Sequence, residues 1–449
     1  MAKGMIGLEI HTYIKTQQKL FCECAASRIK GLKPNTNICP ICSGQPGAKP
    51  MAPNLEAIKK AIQIGLMLGC KINAKMDWQR KHYNWPDLPK GYQNTLSGTY
   101  ATPLGINGKF QKINISSMHL EEDPASWDPQ TGCIDYNRSG LPLVEIVTAP
   151  DFAFADEVIE WLNSLLHSLA YLKSVDTDAG IKVDVNVNIP GKTERVEIKN
   201  LNSLESIKKA IDFELERQLR EGSRRETRRY DEIKGKTIPM RTKEQAEDYR
   251  FISDPDLQPI ILENSLVKTL KDSLPESPEV KLNKLIKKLK IPIKEAEILA
   301  KNLDIVEFFE KIVVKIPPKF ALPWVTIELL RVLNYNKTTL DKTNIQPEHF
   351  ISLLELVKDK KITPLQAKAI LNTFYPSSFS PTKVESKITD LKELESIIKQ
   401  VIKENPKAVQ DYKAGEKSAL NFLLGKVMQK TNKRADYKIS QDILIKLLK

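Results

Sequence analysis

The alternation of apolar and polar residues predicts β-strands in the first half of the chain. In residues 6–12 apolar residues alternate with small or polar ones, which favours a strand. Residues 182–189 alternate without interruption: valines at every second position from Val183 face one way, and polar residues from Asp184 face the other. An entirely polar strand face in a large domain suggests a water-filled cleft rather than a second core.

A different spacing, with apolar residues every three to four positions, predicts helices. Residues 54–69 begin with a plausible capping residue, Asn54, and end at Gly69. Residues 158–169 and 203–222 each carry a single apolar stripe as well. Strands and helices are interspersed without a regular strand–helix–strand repeat, so the predicted fold class is α+β rather than a doubly wound sheet.

The texture of the sequence changes at about Lys281. Beyond it the strand-like alternation disappears, and lysine, leucine, isoleucine and glutamate follow helical spacing between prolines. A length of 449 residues also exceeds one ordinary core. The sequence therefore predicts a mixed domain over residues 1–285, an all-helical domain over 286–375 and, after a proline- and serine-containing linker, a smaller helical domain over 382–449.

The charge of the chain favours a polyanionic partner such as RNA. Lysine and arginine exceed aspartate and glutamate by 69 to 56, which gives a formal net charge of +13. Lysine enrichment in an A/T-rich or heat-adapted genome is the alternative, because the lysines are spread along the whole chain. We find no run of about 18 apolar residues that would span a membrane, and no secretory apolar segment at the N-terminus. A cytoplasmic location without a membrane partner is therefore expected.

Four of the six cysteines are clustered, as Cys22-x-Cys24 and Cys39-x-x-Cys42. Two such pairs can bring four thiolates around one tetrahedral Zn²⁺ ion. A full set of thiolates leaves no open coordination position, so this zinc would be structural rather than catalytic. Unligated thiols are the alternative, since C-x-C is less usual than C-x-x-C. Cys70 and Cys133 stand apart and are expected to be ordinary buried thiols.

Several carboxylates occur in settings that suggest chemistry. Glu9 and His11 are two residues apart on a predicted strand, so their side chains share one face. An acidic run covers residues 121–123, Glu145 interrupts an otherwise apolar strand, and Asp184 lies on the polar face described above. Oxygen ligands with a minority of imidazole suit Mg²⁺ or Mn²⁺, which in turn hold nucleotide phosphates. Taken singly, however, each residue also fits a solvated strand face, a turn or a buried ion pair.

Cations and aromatic residues are interleaved in residues 80–93, where two prolines and a glycine stiffen the chain. Such a loop suits phosphates and stacked bases or ribose, although a basic surface turn is the alternative. Further cations follow at Arg138, Lys199 and Arg228. Neither common glycine-rich phosphate motif is present, and no cysteine has the setting of a glutamine-hydrolysing nucleophile. Ammonia for any amide synthesis would therefore come from elsewhere.

A set of co-linear segments over roughly residues 5–260 carries a further signal. The segments include Ile6-Gly-Leu-Glu9-Ile-His11, Cys39-Pro-Ile-Cys42, Arg80-Lys81-x-Tyr83-x-x-Pro-Asp-Leu-Pro-Lys-Gly-Tyr-Gln93, His119-Leu-Glu-Glu-Asp123, Asp135-Tyr-Asn-Arg138, Pro142-Leu-Val-Glu145, Glu197-Ile-Lys-Asn-Leu-Asn-Ser203 and Met240-Arg-x-Lys-Glu-x-Ala-x-Asp248. Together they resemble the successive signatures of the GatB/GatE family of tRNA-dependent amidotransferase subunits. GatE members carry a large inserted domain for which this chain is too short, so the resemblance is to the GatB branch.

The resemblance implies a cradle-shaped domain related in fold to glutamine synthetase and guanido kinases, followed by a helical domain and a tail that grips tRNA. It implies ATP- and Mg²⁺-dependent amidation of Glu-tRNA(Gln), Asp-tRNA(Asn) or both. A GatA-type amidase subunit would supply the ammonia, and a small GatC-type subunit would complete a heterotrimer. The residues it assigns are the Mg²⁺ ligands Glu9, His11, Glu121 and Glu122, the catalytic residues Lys81, Glu122 and Asp184, and the phosphate contacts Arg138, Lys199 and Arg228.

Two positions depart from the family's pattern. His82 stands where asparagine is usual, and Pro124-Ala-Ser126 replaces a common Ala-Gly-Lys, which removes one lysine as a phosphate contact. Two other functions remain as alternatives. A non-catalytic, zinc-stabilised tRNA-binding scaffold would explain the charge and the cysteines but not the carboxylates. A free-standing carboxylate–ammonia ligase acting on a small molecule would not need the helical tail.

Overall fold

The structure, a computed structural model, describes residues 3–26, 31–240, 249–381 and 385–448. The chain divides into two compact units, Met1–Ser277 and Pro278–Lys449. The first unit mixes strands and helices, and the regular elements of the second are helices, so the predicted α+β fold class is confirmed. The three-part division into 1–285, 286–375 and 382–449 stays a prediction. Residues 241–248, which carry most of one family motif, lie outside the described residues.

The strands of the first unit lie mostly in one large sheet. Its strands are β1 (Met5–Tyr13), β2 (Lys71–Ile72), β3 (Lys75–Met76), β4 (Gln79–His82), β5 (Gln93–Thr95), β6 (Gly105–Phe110), β7 (Ile113–Glu122), β8 (Ser126–Trp127), β9 (Ile134–Asp135), β10 (Pro142–Thr148), β11 (Ile181–Asn188), β12 (Val196–Leu201), β13 (Glu226–Asp231), β14 (Lys236–Pro239), β15 (Arg250–Ser253) and β16 (Ile260–Ile261). Its helices are α1 (Leu55–Met67), α2 (Ala155–Leu172), α3 (Leu204–Glu221) and α4 (Asn264–Asp272).

The large sheet has the order β14-β13-β12-β11-β1-β10-β7-β5-β4-β15, and β6 extends it from β7 with β2 alongside. Its strand pairs are antiparallel apart from β12 and β13. Strand β1 lies near the centre, where Glu9 pairs with Val147 of β10 on one side and with Asp184 of β11 on the other. The centre of the sheet therefore joins segments that are far apart in the sequence.

Side-chain alternation gives the central strands one apolar and one polar face. In β1, Ile6, Leu8 and Ile10 are buried, whereas Glu9 and His11 are only partly covered on the opposite side. The apolar faces of the sheet pack with the apolar stripes of α1, α2 and α3 into one continuous core. The valines of β11 belong to this core, so the predicted polar face of residues 182–189 is confirmed.

Along β7, the side of the sheet that a residue faces changes at one inserted residue. Opposite β10, Val147 pairs with Ser117 while Thr148 pairs with Ile115, which leaves Ser116 as a β-bulge. Before the bulge the odd-numbered residues are buried in the core, and after it the even-numbered residues are. This switch decides which residue of the acidic run reaches the polar face.

Helices α1 and α3 begin and end within two residues of their predicted bounds, whereas α2 extends three residues beyond the predicted range at each end. The Asn54 side chain accepts a hydrogen bond from the Glu56 N–H at 2.9 Å and caps α1. The Ser203 hydroxyl accepts from the Ser206 N–H at 3.1 Å and caps α3, which ends at Gly222 with a φ of 69°. These residues fix where α1 and α3 begin and where α3 ends.

The second unit consists of short helices that several prolines separate. They are α5 (Pro278–Lys287), α6 (Ile293–Ala300), α7 (Leu303–Val313), α8 (Pro318–Pro323), α9 (Leu330–Tyr335), α10 (Pro347–Lys358), α11 (Pro364–Asn372), α12 (Leu391–Glu404), α13 (Pro406–Lys413), α14 (Ser418–Lys430) and α15 (Tyr437–Leu448), with a π-helical turn at Trp324–Leu329. Proline opens α8, α10 and α11, where its missing N–H costs nothing. Helices α12, α14 and α15 share a core of their own. Within the described ranges, no helix has both the length and the apolar character needed to cross a bilayer.

Candidate active site

The polar face of the sheet gathers ionisable side chains from separate strands. Antiparallel pairing sets Glu145 of β10 opposite His11 of β1, and Asp184 of β11 opposite Glu9. On the other side of β10, Glu121 of β7 pairs with Leu143, which lies two residues before Glu145 and therefore on the same face. Residues directly opposite one another share a face of the sheet. Groups from distant segments therefore meet in one place.

His11, Glu121 and Glu145 form one cluster of possible metal ligands. The Nε2 atom of His11 lies 4.0 Å from Glu121 Oε1 and 3.9 Å from Glu145 Oε2. Burial, together with the Glu145 carboxylate, raises the pKa of Glu121 to about 7. Burial also opposes the charge of Glu145, but His11, His119 and Lys81 outweigh it and lower the pKa of Glu145. A bound cation would relieve the repulsion between the two carboxylates.

Glu9, Asp184 and Glu197 form a second cluster on the same face, with one donor atom from each lying within 4.8 Å of the others. Asn186 Nδ2 donates to Glu9 Oε1 at 3.0 Å, and the backbone N–H of Asn200 donates to Asp184 Oδ1 at 2.7 Å. Burial and the neighbouring carboxylates raise the pKa of Glu9. The hydrogen bonds hold two of these carboxylates in position before any ligand binds.

Lys81, in β4, supplies positive charge to the cleft. Burial opposes its charged form, but the carboxylates of Glu121 and Glu145 outweigh burial and raise the pKa of Lys81. Its Nζ atom also lies 4.7 Å from the centre of the Tyr249 ring. A buried, charged lysine that faces a ligand-binding cleft can stabilise negative charge on a bound phosphate.

Lys199 and Arg138, two of the predicted phosphate contacts, also line this cleft. Lys199 Nζ lies 3.4 Å from Glu197 Oε1 and 3.9 Å from Asp184 Oδ2. Arg138 Nε lies 2.9 Å from Asp123 Oδ2. Both cations are therefore held by carboxylates at the wall of the cleft, where an anionic ligand can reach them.

Glu122 does not join these groups, although the sequence interpretation made it a metal ligand and a catalytic residue. Because the bulge in β7 places it on the opposite side from Glu121, its Oε1 atom lies 2.6 Å from Lys90 Nζ and accepts from the Asn94 N–H at 2.9 Å. The side chains of Glu122 and Lys90 are each 7% exposed. Glu121, which was also a predicted ligand, is the residue of this pair that lies beside His11 in the cleft.

Arg228 is also absent from the described lining of the cleft, contrary to its predicted role as a phosphate contact. Its Nε and Nη2 atoms donate to the side chain and the carbonyl of Thr237, at 2.9 Å each. Its Nη1 atom lies 2.9 Å from Glu226, and the buried Glu214 lies 3.6 Å from Nε. The guanidinium is thus engaged in a buried network between α3 and the strands β13 and β14.

The sequence interpretation left two members of the clusters without a role. Glu145 was recognised only as a carboxylate in an apolar strand, and Glu197 only as part of a family motif. The signal for Glu197 was present, because residues 196–199 alternate apolar and charged side chains as β11 does. Outside the cleft, Cys133 is exposed rather than buried as expected, while Cys70 is buried.

The cleft has a volume of about 240 Å³. Its carboxylates outnumber its lysine and arginine side chains by two: Glu9, Asp87, Glu121, Asp123, Glu145 and Asp184 face Lys81, Arg138, Lys182 and Lys199. Carboxylate oxygens with a single imidazole are a donor set that Mg²⁺ and Mn²⁺ prefer. The residues therefore fit a divalent cation, with room beside Lys81 for an anionic ligand.

Cys22, Cys24, Cys39 and Cys42 form a separate cluster in which all four sulfurs lie within 4.8 Å of one another. Cys42 Sγ lies 3.9 Å from Cys39 Sγ and 4.0 Å from Cys24 Sγ. Tetrahedral zinc–thiolate geometry places sulfurs roughly 3.8 Å apart, so the four thiols fit a zinc ion. The backbone N–H of Cys39 donates to Cys42 Sγ at 3.2 Å, which would stabilise negative charge on that sulfur.

The fold and the two sites define a class of protein with a mixed sheet. The polar face of this sheet carries a carboxylate-rich site that fits a cation, and a separate cluster contains four cysteines. The comparison with known families is specific. Residues 4–268 match the GatB/GatE catalytic domain, and residues 307–448 match the GatB domain. The chain belongs to the GatB/GatE family, and the resemblance drawn from its motifs is confirmed.

Similar proteins extend over nearly the whole chain. The GatB subunit of the aspartyl/glutamyl-tRNA(Asn/Gln) amidotransferase of Methanopyrus kandleri is 40% identical and aligns with 99% of this chain and 98% of its own length. Its counterpart in Methanocaldococcus jannaschii is 41% identical over 97% of this chain and 96% of its own length. The Methanobrevibacter smithii protein of the same name is 40% identical, with 96% and 97% covered.

Proposed function

We propose that the chain is the amidating subunit of a tRNA-dependent amidotransferase. It uses ATP and Mg²⁺ to convert the side-chain carboxylate of Glu-tRNA(Gln), Asp-tRNA(Asn) or both into an amide. The observation that carries this proposal is the convergence of His11, Glu121, Glu145, Glu9 and Asp184 in a cleft that also contains Lys81. The names of the archaeal relatives support the same reaction.

The chemistry requires activation of an inert group. A carboxylate resists attack by ammonia because its oxygen is a poor leaving group. Transfer of the γ-phosphoryl group of ATP to that oxygen converts it into a phosphate, which departs when ammonia attacks the carbonyl carbon. Mg²⁺ in the cleft would neutralise and align the phosphates for the first step.

The residues of the first cluster, with Glu9, would hold the cation. His11 offers its Nε2 atom, and Glu121 and Glu145 offer oxygens on either side of it. Asp184 is fixed by the Asn200 N–H and would orient the second shell of ligands or water. Lys81 stabilises the charge that develops on the transferred phosphoryl oxygens.

Arg138 and Lys199 would bind phosphate oxygens on either side of the transferred group. Each is at present held by a carboxylate at the wall of the cleft. Arginine and lysine form charge-assisted hydrogen bonds with phosphate as well as with carboxylate oxygens, so each cation could contact a phosphate oxygen while it stays beside its carboxylate. The walls of the cleft also limit the access of water to the activated acyl group, which water would otherwise hydrolyse.

The partners follow from the chemistry. No glutamine-hydrolysing nucleophile is evident in the sequence, so a GatA-type amidase subunit would supply ammonia, with a GatC-type subunit completing the complex. The tail over 382–449, which follows the helical domain over 286–375, would bind the tRNA, and the use of that tRNA in translation implies a cytoplasmic reaction. The first domain, 1–285, would have the cradle fold of glutamine synthetase and guanido kinases.

Replacement of one cluster residue tests the proposal. In the complex with its partner subunits, Glu121→Gln should lower ATP-dependent amide formation on mischarged tRNA by about 100-fold or more, while tRNA binding stays unchanged. Glu160→Gln, on the exposed side of α2, is the matched control. Full activity of Glu121→Gln would favour the zinc-stabilised scaffold instead. Full activity of a chain that lacks residues 382–449 on free glutamate or aspartate would favour the free-standing ligase.

A further inference from the structure

The cluster of four cysteines contacts two loops that approach the proposed active site. We name the cysteine unit (residues 19–24 and 31–45), the lysine loop (residues 83–92), which carries Lys90, and the arginine turn (residues 134–140), which carries Arg138. The structure places the cysteine unit against both of the others. Hydrogen bonds join the cysteine unit to the arginine turn, and close packing joins it to the lysine loop.

Asn137 of the arginine turn is bonded to the cysteine unit through its whole side-chain amide. Its Oδ1 atom accepts from the N–H groups of Thr36 at 3.0 Å and Asn37 at 2.8 Å, and its Nδ2 atom donates to the Lys33 carbonyl at 2.9 Å. On the other side of the turn, the Leu20 N–H donates to the Gly140 carbonyl at 2.8 Å. The turn is therefore held at its middle and at its C-terminal end by the cysteine unit.

Lys19 connects the cysteines themselves to the arginine turn. Its side chain is fully buried, and its Nζ atom lies 3.5 Å from Cys42 Sγ, 3.1 Å from the Asn37 carbonyl and 3.4 Å from the Tyr136 carbonyl. A lysine in such a place needs a negative partner. Four thiolates around Zn²⁺ carry a formal charge of −2, and Lys19 would balance half of it.

The lysine loop touches the cysteine unit from the other side. Gly44 has a φ of 67°, and a Cβ atom at this position would clash with the Pro89 carbonyl. Lys90 Nζ lies 5.4 Å from the centre of the Phe21 ring, in addition to its contact with Glu122. The position of the lysine loop thus depends on the close approach that Gly44 allows.

We propose that the cysteine unit is a clamp that holds the lysine loop and the arginine turn in position, and that Lys19 transmits zinc binding to the turn. Loss of the metal would release Arg138 from its place beside Asp123 without altering any ligand of the magnesium site. Lys19 and Asn137 are positioning residues in this arrangement. The consequence for amidation rests on the proposed function, whereas the clamp itself does not.

The test uses the full-length, zinc-loaded chain and the variants Lys19→Met and Asn137→Ala. Lys15→Met, an exposed lysine four residues before Lys19, is the matched control. Zinc content is measured against increasing chelator, and hydrogen exchange is followed in residues 83–92, 134–140 and, as a reference for correct folding, α2. Neither measurement depends on the activity of the enzyme.

Lys19→Met should lose zinc at a chelator concentration about tenfold lower than the wild type, as expected for a charge partner of zinc ligands. Removal of zinc from the wild type should speed hydrogen exchange about tenfold or more in residues 134–140 and 83–92, with α2 unchanged. Asn137→Ala should retain zinc but loosen residues 134–140. Unchanged zinc retention in Lys19→Met, or unchanged exchange in both loops after zinc removal, would overturn the proposal. If the clamp behaves as expected and no amidation is found, the proposed function alone fails.

Discussion

Glu121 and Glu122 are neighbours in β7, yet they serve opposite sides of the sheet: Glu121 Oε1 lies 4.0 Å from His11 Nε2, and Glu122 Oε1 lies 2.6 Å from Lys90 Nζ. The first carboxylate belongs to the cation site. The second forms a buried ion pair beneath it. Identical residues at adjacent positions should therefore respond differently to the same substitution.

The affinity for Mg²⁺ distinguishes the two glutamates. Glu121→Gln removes a proposed ligand and should weaken Mg²⁺ binding by at least about tenfold, the lower range seen when even a supporting residue of a metal site is lost. Glu122→Gln should change Mg²⁺ affinity by less than about threefold. Titration of the isolated chain with Mn²⁺ as a spectroscopic substitute measures both. Equal losses in the two variants would contradict the division of β7 into two faces.

The stability of the metal-free protein should depend on pH through Glu121. Its pKa is raised to about 7 in the folded state, so between pH 4.5 and 7 the folded chain binds more protons than the unfolded chain. Stability from this group is therefore greatest at low pH and falls as pH rises through 7, by roughly 3 kcal/mol in total. Glu121→Gln should flatten this part of the pH profile.

Urea unfolding of the first unit at pH 5 and pH 7, with a chelator present, checks this expectation. Trp78, Trp85, Trp127 and Trp161 all lie in that unit and report its transition by fluorescence. A wild-type profile that is no steeper than that of the variant would show that Glu121 is not the responsible group. Added Mg²⁺ should reverse the trend, because the ion favours the ionised carboxylate.

Lys81 should matter for the rate of phosphoryl transfer rather than for tRNA binding. Lys81→Met preserves the length of the side chain but removes the charge that faces the phosphate. We expect kcat to fall by about 10²–10³, with the Kd for tRNA unchanged. The exposed Lys109→Met is the control. A defect confined to tRNA affinity would place Lys81 in the wrong step.

Arg228 and Arg138 should separate stability from activity. Arg228→Met removes one of the two arginines that pair with Glu214 and Glu226, while Arg217 still contacts both carboxylates. The loss of its charged hydrogen bonds should lower the free energy of unfolding by roughly 1.5–3 kcal/mol. Its KM for ATP should stay within about twofold of the wild type. Arg138→Met should raise the KM for ATP instead. Thermal unfolding and ATP-dependent kinetics on the two variants measure these effects, and a raised KM in Arg228→Met would restore its predicted role.

The sequence predicted those features that depend on local spacing. Within residues 182–189, the alternation of valines with aspartate and asparagine predicts an apolar and a polar face. Asn54 and Ser203 likewise indicate, from local sequence, where α1 and α3 begin. Whether His11 meets Glu145 depends on pairing between strands that are distant in the chain. Local alternation cannot specify that register. The convergence of the clusters thus became visible only in the sheet.

The family resemblance made Glu122 a ligand, and alternation along β7 would have led to the same placement. Alternation from Ile113 and Ile115 would turn odd-numbered residues toward the core and bring Glu122 into the cleft. The bulge at Ser116 reverses this order. A bulge has no fixed sequence signature, because it reflects the fit of two strands rather than the preference of one. The buried surroundings of Arg228 could not be predicted for a related reason, since nothing local reveals the buried Glu214 opposite it.

The excess of carboxylates in the cleft bears on the order in which ligands can arrive. A free nucleoside triphosphate is itself strongly anionic and is repelled by the cleft, because acidic side chains outnumber basic ones in its lining. The same nucleotide already complexed with its ion carries less charge and brings the balance that the cleft lacks. Selection between the two forms would therefore precede any recognition of the base or the sugar.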